Sequence, residues 1–348
     1  MSKKRKIAIL GTRGIPNQYG GFEALAEKLS VFLVEQGHEV FVYQTHNHPY
    51  ADNQFRGVKL VHCYNPEVWL GTFGQFGYDL LCQLDAQKRN FDVWLHLGYT
   101  SNTVWGRYWP KGVLHISNMD GLEWKRSKYN PLVQRFLKWA EKKAVIHSDK
   151  LVADHPVIQS YLKNVYNADS KMIRYGAGFI NPLKPNVDLP DSFDLVMARM
   201  EPENNVLMAL ESQLHTKRPL VIAGNIATRY ARKLTKRFPN GKKVYWIGGV
   251  YNPSEAEWLR KNCVYYIHGH SVGGTNPSLV QAMATGCRII AHDNAFSREI
   301  LGEKAVGYYA NNNQLAALRR TQSDGEVQFA VPSWKDICEA YESLILNH

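Results

Sequence analysis

Residues 264–286 read VYYIHGHSVGGTNPSLVQAMATG, an apolar run followed by a glycine-rich loop and the start of a helix. The run Val264–Ile267 predicts a buried strand. Past the glycine pair, Asn276 followed by Pro277 is typical of an N-cap and a first helical residue, and Gly286 ends the helix. A helix start after a strand leaves backbone N–H groups unpaired and favours phosphate, although many such turns bind nothing.

Length and cysteine usage indicate a two-domain cytosolic protein. The 348 residues are enough for two domains with a sizeable core in each. No apolar run approaches the length of a membrane span, and the basic N-terminus leads into too short an apolar segment for a signal peptide. The five cysteines are scattered without a Cys-x-x-Cys pair and predict reduced thiols.

The chain is basic, with a formal net charge of +11. Such a surface could favour nucleic acid, an anionic bilayer or phosphorylated substrates. The sequence has no zinc-finger spacing, RNA-recognition motif or long Lys/Arg tract, so nucleic acid is not expected as a partner. A solvated basic face explains the charge equally well.

The N-terminal region reads as a strand–helix–strand unit. Lys6–Leu10 predicts a strand, and a glycine-rich loop follows before a helix that opens at Phe22 and stops at Gly37. Val40–Tyr43 predicts the next strand, which implies a parallel sheet. The loop is not Gly-x-Gly-x-x-Gly and no acidic residue ends the second strand, so a nicotinamide or flavin site is disfavoured.

The same alternation of strands and helices continues in both halves of the chain. The longest predicted helix is Pro131–His147, the polar segment 176–190 is predicted to be a linker, and Trp334–Leu346 predicts a final helix. The other strand candidates are Val58–Val61, Val93–Leu97, Val113–Ile116, Leu151–Ala153, Met172–Ile173, Leu195–Ala198, Leu220–Ala223, Val244–Ile247 and Ile289–Ala291.

The predicted fold class is α/β, with two doubly wound Rossmann-like domains facing a cleft. Residues 1–180 form the expected N-terminal domain, and residues 191–333 the expected C-terminal domain. The terminal helix at 334–348 could pack back on the first domain.

Several motifs carry a resemblance to a known family. Residues 11–23 (GTRGIPNQYGGFE), 19–29 (YGGFEALAEKL), 120–126 (DGLEWKR), 201–205 (EPENN) and 269–279 (GHSVGGTNPSL) occur in the order seen in retaining, GT-B-fold glycosyltransferases of family 4. The chain resembles the rhamnosyltransferase-like branch that builds bacterial capsule and cell-wall polysaccharide. The resemblance implies a nucleotide-diphospho-sugar donor, dTDP-rhamnose or a related one, held mainly by the C-terminal, nucleotide-sugar-binding domain at 191–333. The N-terminal domain at 1–180 is then the acceptor-side domain. It also implies a glycan acceptor, on a polyprenyl diphosphate at the cytosolic membrane face.

The resemblance assigns the leaving diphosphate to Arg199, which otherwise would be a surface salt-bridge residue. Asn204 stands where the family usually has a second cation, a lysine. Arg13, Lys125 or the N–H groups of residues 276–279 could compensate. No Asp-x-Asp occurs, so neither a metal nor another cofactor is expected, and the nucleotide sugar is a substrate.

Two family glutamates are absent from this chain. Gly273 and Gln281 stand in their places, near the sugar and on the ribose respectively. An amide accepts a hydrogen bond without charge, so weaker nucleotide binding or a different nucleotide preference is expected. A catalytically weak nucleotide-sugar-binding partner in a polysaccharide-assembly complex is the alternative function.

On the acceptor side, Asp120 is the candidate general base, with Glu123 as the reserve and Lys125 near a phosphate. Alternatively, Asp120 is a turn residue or an N-cap ahead of the helix at 131–147. No protein nucleophile is proposed. The predicted catalytic residues are Asp120, Lys125 and Arg199; the donor-binding residues are Gly20, Gly21, Arg13, Gly224, Asn225, His270, Gly274, Thr275, Asn276, Ser278, Leu279 and Gln281; the acceptor-binding residues are Glu23, Glu123 and Trp124.

Basic and aromatic residues alternate through residues 124–143, which suits an anionic membrane interface. A plain amphipathic core helix fits the same pattern. The expected location is therefore cytoplasmic, and peripheral on the inner face of the plasma membrane if the interface exists. The pairs His46/His48 and His268/His270 lack a complementary carboxylate or cysteine, so a metal site is not predicted there.

Overall fold

The computed structural model describes residues 4–18, 20–321 and 327–347. They divide into two compact units, each with its own parallel sheet. Unit 1 comprises residues 1–124, 131–175 and 334–348, and unit 2 comprises residues 125–130 and 176–333. The predicted α/β class with two parallel-sheet domains is confirmed.

Unit 1 has an eight-stranded sheet in the order β3-β4-β2-β1-β5-β6-β7-β8. All pairs are parallel except β3 with β4. Strand β1 is central, and the order reverses between β1 and β5, where ligands of such sheets bind. The strands are β1 (Lys6–Leu10), β2 (Glu39–Thr45), β3 (Gln54–Phe55), β4 (Val58–Cys63), β5 (Val93–Leu97), β6 (Leu114–Asn118), β7 (Lys150–Ala153) and β8 (Lys171–Met172).

The helices of unit 1 cover its sheet with apolar faces. Leu25, Leu29 and Leu33 lie on one side of α1 and are buried, as their helical spacing predicts. The helix at Pro131–His147 has the predicted bounds. The helices are α1 (Gly21–Glu35), α2 (Glu67–Leu70), α3 (Gly74–Gln87), α4 (Pro131–His147) and α5 (Pro156–Tyr166).

Unit 2 has a six-stranded, all-parallel sheet in the order β11-β10-β9-β12-β13-β14. Here the order reverses between β9 and β12. The strands are β9 (Asp194–Met197), β10 (Leu220–Ala223), β11 (Val244–Gly248), β12 (Tyr266–His268), β13 (Ile289–His292) and β14 (Gly307–Tyr309). Strand β14 was not predicted because its three residues form no apolar run.

A helical segment follows each strand of unit 2, and these segments connect the successive strands of the sheet. A buried ion pair anchors the last of these helices, since Arg319 Nε lies 2.7 Å from Asp194 Oδ2 and neither side chain is exposed. The helices are α6 (Val206–Ser212), α7 (Arg229–Arg237), α8 (Pro253–Asn262), α9 (Pro277–Ala284), α10 (Ala295–Leu301) and α11 (Asn312–Arg320).

The final helix, α12 (Trp334–Leu346), belongs to unit 1 and packs on α1. Its Tyr341 hydroxyl accepts a 2.8 Å hydrogen bond from Asn118 Nδ2. The predicted return of the terminal helix to the first domain is therefore seen in the structure.

The segment predicted to be a linker is instead part of unit 2. Residues 176–190 form no helix, but their backbone is hydrogen-bonded to that unit. Ala177 N donates to Pro332 O at 3.1 Å, and Leu183 N donates to Ser254 O at 2.9 Å. The lack of periodicity predicted an irregular segment correctly, but it could not show that the segment is packed.

Candidate functional site

The carboxyl end of β9 carries an exposed cation. Arg199 follows β9 by two residues, and 63% of its side chain is exposed. Its Nη2 lies 3.8 Å from Glu201 Oε2, too far for a strong ion pair at a solvated surface. Arg199 is therefore available to an anion at the point where the strand order reverses.

The neighbouring carboxylates are held by the short segment 125–130. Lys128 Nζ lies 2.9 Å from Glu201 Oε1, and Arg126 Nη1 lies 3.6 Å from Glu203 Oε1. Burial alone would raise the pKa of Glu201, but Arg199, Lys128 and Arg126 outweigh it and lower that pKa. Arg126 is itself buried, and its positive charge interacts with these two carboxylates.

Asn204, which stands where a lysine was expected, is hydrogen-bonded to both the backbone of Arg199 and the side chain of His270. Its Nδ2 donates to Arg199 O at 2.8 Å, and its Oδ1 lies 2.8 Å from His270 Nδ1. Because an amide oxygen only accepts, His270 Nδ1 must carry the proton and Nε2 must be an acceptor. Asn204 thereby fixes both the arginine loop and the tautomer of His270.

His270 fills the space that a side chain at position 273 would need. A Cβ on Gly273 would lie 2.7 Å from His270 Nε2, and the φ of +145° also requires glycine. Burial and the nearby Arg126 and Arg199 lower the pKa of His270 to about 3. A neutral imidazole therefore lies next to position 273, where the resemblance predicted the loss of a glutamate.

Helix α9 begins as predicted, with Asn276 as its N-cap and Pro277 as its first residue. The Oδ1 of Asn276 accepts from Ser278 N at 2.9 Å and from Leu279 N at 3.3 Å. Two of the amides expected to hold phosphate are thus already hydrogen-bonded, and proline has none. An anion at this helix end would interact with the helix dipole and with the loop before the helix. It would find fewer unpaired backbone N–H groups than the sequence suggests.

Gln281 lies beside a carboxylate that sequence reasoning missed. Its Nε2 donates to Glu257 Oε2 at 3.2 Å and to Gly178 O at 3.1 Å. Glu257 is buried on α8 and also accepts from Thr285 Oγ1 at 2.9 Å. Both hydrogen bonds are made by the amide nitrogen of Gln281. The helical period could have placed Glu257 on a buried face, but not next to Gln281.

The remaining unit 2 candidates lie at the ends of strands. A Cβ on Gly224 would lie 2.2 Å from Ala198 O, so this loop packs against the arginine loop only with glycine. Asn225 Oδ1 accepts from Ala227 N at 2.9 Å and shapes a turn. Thr275 is buried and Gly274 is half-buried in the loop before α9.

In unit 1, the glycine loop is fastened by the first turn of α1. Glu23 is buried there, and its Oε1 accepts from Arg13 N at 3.0 Å. The Arg13 side chain pairs with Glu67 Oε1 at 2.9 Å. Gly20 precedes α1 and Gly21 begins it. Glu23, predicted to bind the acceptor, has a structural role in this loop.

Asp120 lies two residues beyond the carboxyl end of β6 and is half-buried. Its φ of +45° and the bond from its N–H to Asn118 Oδ1 at 3.0 Å make it a turn residue. It does not cap α4, which begins eleven residues later at Pro131. The turn alternative is therefore seen, and the turn lies at the carboxyl edge of the sheet.

Trp124 belongs to a cluster around a buried carboxylate. Its Nε1 donates to Glu141 Oε2 at 3.1 Å, while Tyr161 and Tyr166 donate to Oε1 of the same residue. Lys138 Nζ lies 4.4 Å from the centre of the Trp124 ring. Glu123 is buried and Lys125 is exposed. The indole predicted to bind the acceptor thus has its polar atom engaged within unit 1.

Within the described residues, no three or more His, Cys, Asp or Glu side chains converge as metal ligands would. The structure likewise contains, in its described part, no helix long and apolar enough to cross a membrane.

Two family models match the sequence. The model for glycosyl transferases group 1 matches residues 184–321, which lie within unit 2. A domain of unknown function, DUF1972, matches residues 109–178, which include Asp120 and α4. No curated protein matches the sequence.

Solved structures share the fold across nearly the whole chain. Sucrose-phosphate synthase from Thermosynechococcus elongatus is 14% identical over 98% of each chain, with a TM-score of 0.81. The catalytic domain of starch synthase IV from Arabidopsis thaliana, bound to ADP and acarbose, is 11% identical over 99% of each chain, with a TM-score of 0.70. A glycosyltransferase from Rickettsia africae is 13% identical over 99% of this chain and 94% of its own, with a TM-score of 0.61.

The fold is shared with these solved structures, and the match to glycosyl transferases group 1 falls on the unit that carries Arg199. Together they support glycosyl transfer by a GT-B-fold protein.

Proposed function

We propose that the protein transfers a sugar, rhamnose or a related hexose, from a nucleotide-diphospho-sugar to a glycan acceptor with retention of configuration. The acceptor we propose is a polyprenyl-diphosphate-linked glycan in surface polysaccharide synthesis at the cytoplasmic face of the membrane. The observation that carries the proposal is Arg199, an exposed cation at the reversal of strand order inside the segment that matches glycosyl transferases group 1.

The leaving diphosphate needs its charge neutralised as the glycosidic bond breaks. Arg199 is proposed for this role in preference to its neighbours Arg126 and Lys128, because those two are already paired with Glu203 and Glu201. The positive end of α9 adds a second favourable field. We propose that these groups act in place of a metal ion.

His270 and Gln281 are proposed to replace the two family glutamates. The neutral His270 Nε2 can accept a hydrogen bond from a sugar hydroxyl, as a carboxylate at position 273 would. The amide oxygen of Gln281 can accept one from the ribose. Both replacements keep an acceptor and remove a negative charge near the diphosphate.

Asp120 is proposed to take the proton from the attacking acceptor hydroxyl. Its position two residues past the carboxyl end of β6 supports this role. Lys125, exposed next to it in sequence, is proposed to contact a phosphate of donor or acceptor.

The test is charge reversal at Arg199. The Arg199→Glu variant should lose measurable binding of dTDP-, UDP- and GDP-sugars in calorimetry. Arg232→Glu, at another exposed arginine, on α7, is the matched control and should bind as the unchanged protein does. Equal donor affinity in the Arg199→Glu and Arg232→Glu variants would refute the proposed site.

A catalytically weak nucleotide-sugar-binding partner is the second candidate, favoured by the uncharged Gly273 and Gln281. The two candidate functions predict the same donor binding and differ in whether the donor is turned over. Release of nucleotide from the donor, or transfer to a synthetic lipid-linked sugar, identifies the enzyme. Donor binding without either reaction identifies the binding partner.

A further inference from the structure

Unit 1 exposes a group of large apolar side chains on a short projecting segment. Helix α2 and the turn after it present Val68, Trp69, Leu70 and Phe73, and their exposed fractions are 70%, 80%, 60% and 76%. Burying such side chains is normally favourable, so four of them exposed within six residues are typical of a surface that a partner covers. We call these four residues the apolar tip.

The apolar tip continues onto α4. The Phe76 and Phe136 rings meet edge to face with centroids 5.5 Å apart, which joins the first turn of α3 to α4. Beyond Phe136, helix α4 also exposes Leu132, Trp139 and Ile146. These four α4 residues share one side of the helix, next to the face that buries Leu137, Ala140 and Ala144, and we call them the α4 stripe.

The charge on this surface is of one sign. Arg107, Arg135 and Lys142 are exposed on it, and Lys143 Nζ lies 5.5 Å from the Trp139 ring centre. No carboxylate is exposed on residues 67–87, 103–108 or 131–147, all within the described part of the chain. The carboxylates there are engaged: Glu67 with Arg13, Asp79 with Ser101, Asp85 with Arg89, and Glu141 with its cluster.

This charge pattern decides between two occupants. A second copy packed on the same face would bring the same cations together with no carboxylate to pair them. An anionic bilayer offers both an apolar interior for the tip and phosphate groups for the cations. Tryptophan with flanking lysine and arginine is also the composition that favours the headgroup region.

We propose that the apolar tip and the α4 stripe insert side by side into the interface of an anionic lipid bilayer. The sequence pointed to residues 124–143, but Trp124 and Arg126 turn away into protein contacts, and the tip at 68–73 was not predicted. The role of this surface in reaching a lipid-linked acceptor rests on the proposed function. Bilayer binding itself does not.

Vesicle flotation of the full chain tests the proposal. Binding is expected to vesicles of phosphatidylcholine and phosphatidylglycerol in equal parts, and to fall at least tenfold on pure phosphatidylcholine. Trp69→Ser should weaken binding to the anionic vesicles at least fivefold. Leu214→Ser, an exposed apolar residue of unit 2, is the matched control and should bind as the unchanged protein does.

Charge is tested with Arg135→Glu/Lys142→Glu against Arg232→Glu/Lys236→Glu on α7. Only the α4 pair should lose binding to anionic vesicles. The proposal is overturned if no vesicle is bound, if neutral vesicles are bound equally, or if Trp69→Ser abolishes a dimer in sedimentation without affecting flotation. Calorimetry with nucleotide sugars on the same variants keeps the outcomes apart. Flotation without donor binding refutes the proposed function alone, and donor binding without flotation refutes this inference alone.

Discussion

At the scale of single residues, the exchange of a family glutamate for Gln281 has to be considered with Glu257. The two side chains already share a hydrogen bond of 3.2 Å, and Glu257 is buried. A carboxylate at position 281 would face a carboxylate at about the same separation, and Arg260 Nη1, 3.5 Å from Glu257 Oε2, would offset part of the repulsion. A carboxylate is therefore already present next to position 281, on the buried side chain of Glu257.

We predict that Gln281→Glu alone does not improve donor affinity. The free energy of unfolding should also fall by about 1–3 kcal/mol at pH 8, because two carboxylates then face each other in a half-buried site. Urea denaturation measures the stability and calorimetry with a nucleotide sugar measures the affinity.

The exchanged pair Glu257→Gln/Gln281→Glu is the control for that prediction. It restores one carboxylate and one amide in contact, now with the carboxylate outward, and should recover stability and bind donor about tenfold more tightly. If the single Gln281→Glu variant already gained that affinity, the coupling to Glu257 would be refuted.

At the scale of elements, the N-cap of α9 can be tested separately for its effect on helix stability and for its effect on anion binding. An aspartate caps a helix as well as an asparagine does, so Asn276→Asp should change the free energy of unfolding by less than about 0.5 kcal/mol. Its negative charge at the helix start should nevertheless repel a diphosphate and weaken donor binding about tenfold or more.

The matched control is Asn311→Asp on α11, where Asn311 Oδ1 accepts from Gln314 N at 3.0 Å as the N-cap. This variant should keep both stability and donor affinity. Unfolding curves and calorimetry on the two variants decide the matter. A donor affinity unaffected by Asn276→Asp would mean that the diphosphate does not lie at the start of α9.

The elements themselves were largely predictable from local patterns. Apolar runs gave β1, β5 and β10 with their observed bounds, and an Asn-Pro pair gave the start of α9. The site was less predictable, because its contacts join residues far apart in sequence. Asn204 was expected to be a lost cation, yet it fixes His270 across 66 positions. Glu257 lies 24 positions before Gln281, and no local pattern connects the two.

At the scale of the whole molecule, the chain does not divide where its composition changes. Residues 125–130 join unit 2 through ion pairs such as Lys128 with Glu201, and α12 returns to unit 1 through Tyr341 and Asn118. Both assignments depend on partners more than 70 positions away in sequence. The polar segment 176–190 marked a change of unit only approximately, because irregular backbone can be packed as firmly as a helix.

Each unit also buries histidines that must stay neutral, which makes stability depend on pH. In unit 2, burial lowers the pKa of His268 to about 3, and His270 behaves alike. In unit 1, burial lowers the pKa of His96 well below its usual value, and the ring stacks on Trp109 at 4.0 Å. These residues take up protons in the unfolded chain near pH 6.5 and in the folded chain only at much lower pH. The contribution of these neutral histidines to the free energy of unfolding is therefore complete above about pH 6.5 and is lost as the pH falls below it.

We predict a loss of up to about 1.4 kcal/mol per pH unit for each such histidine below pH 6.5, measured as the free energy of unfolding in urea between pH 7.5 and pH 5. The His96→Phe variant keeps an aromatic ring against Trp109 and removes one titrating group, so its loss of stability on acidification should be shallower. A stability that is flat over this range, or an unchanged slope in His96→Phe, would show that these histidines are not held neutral by burial.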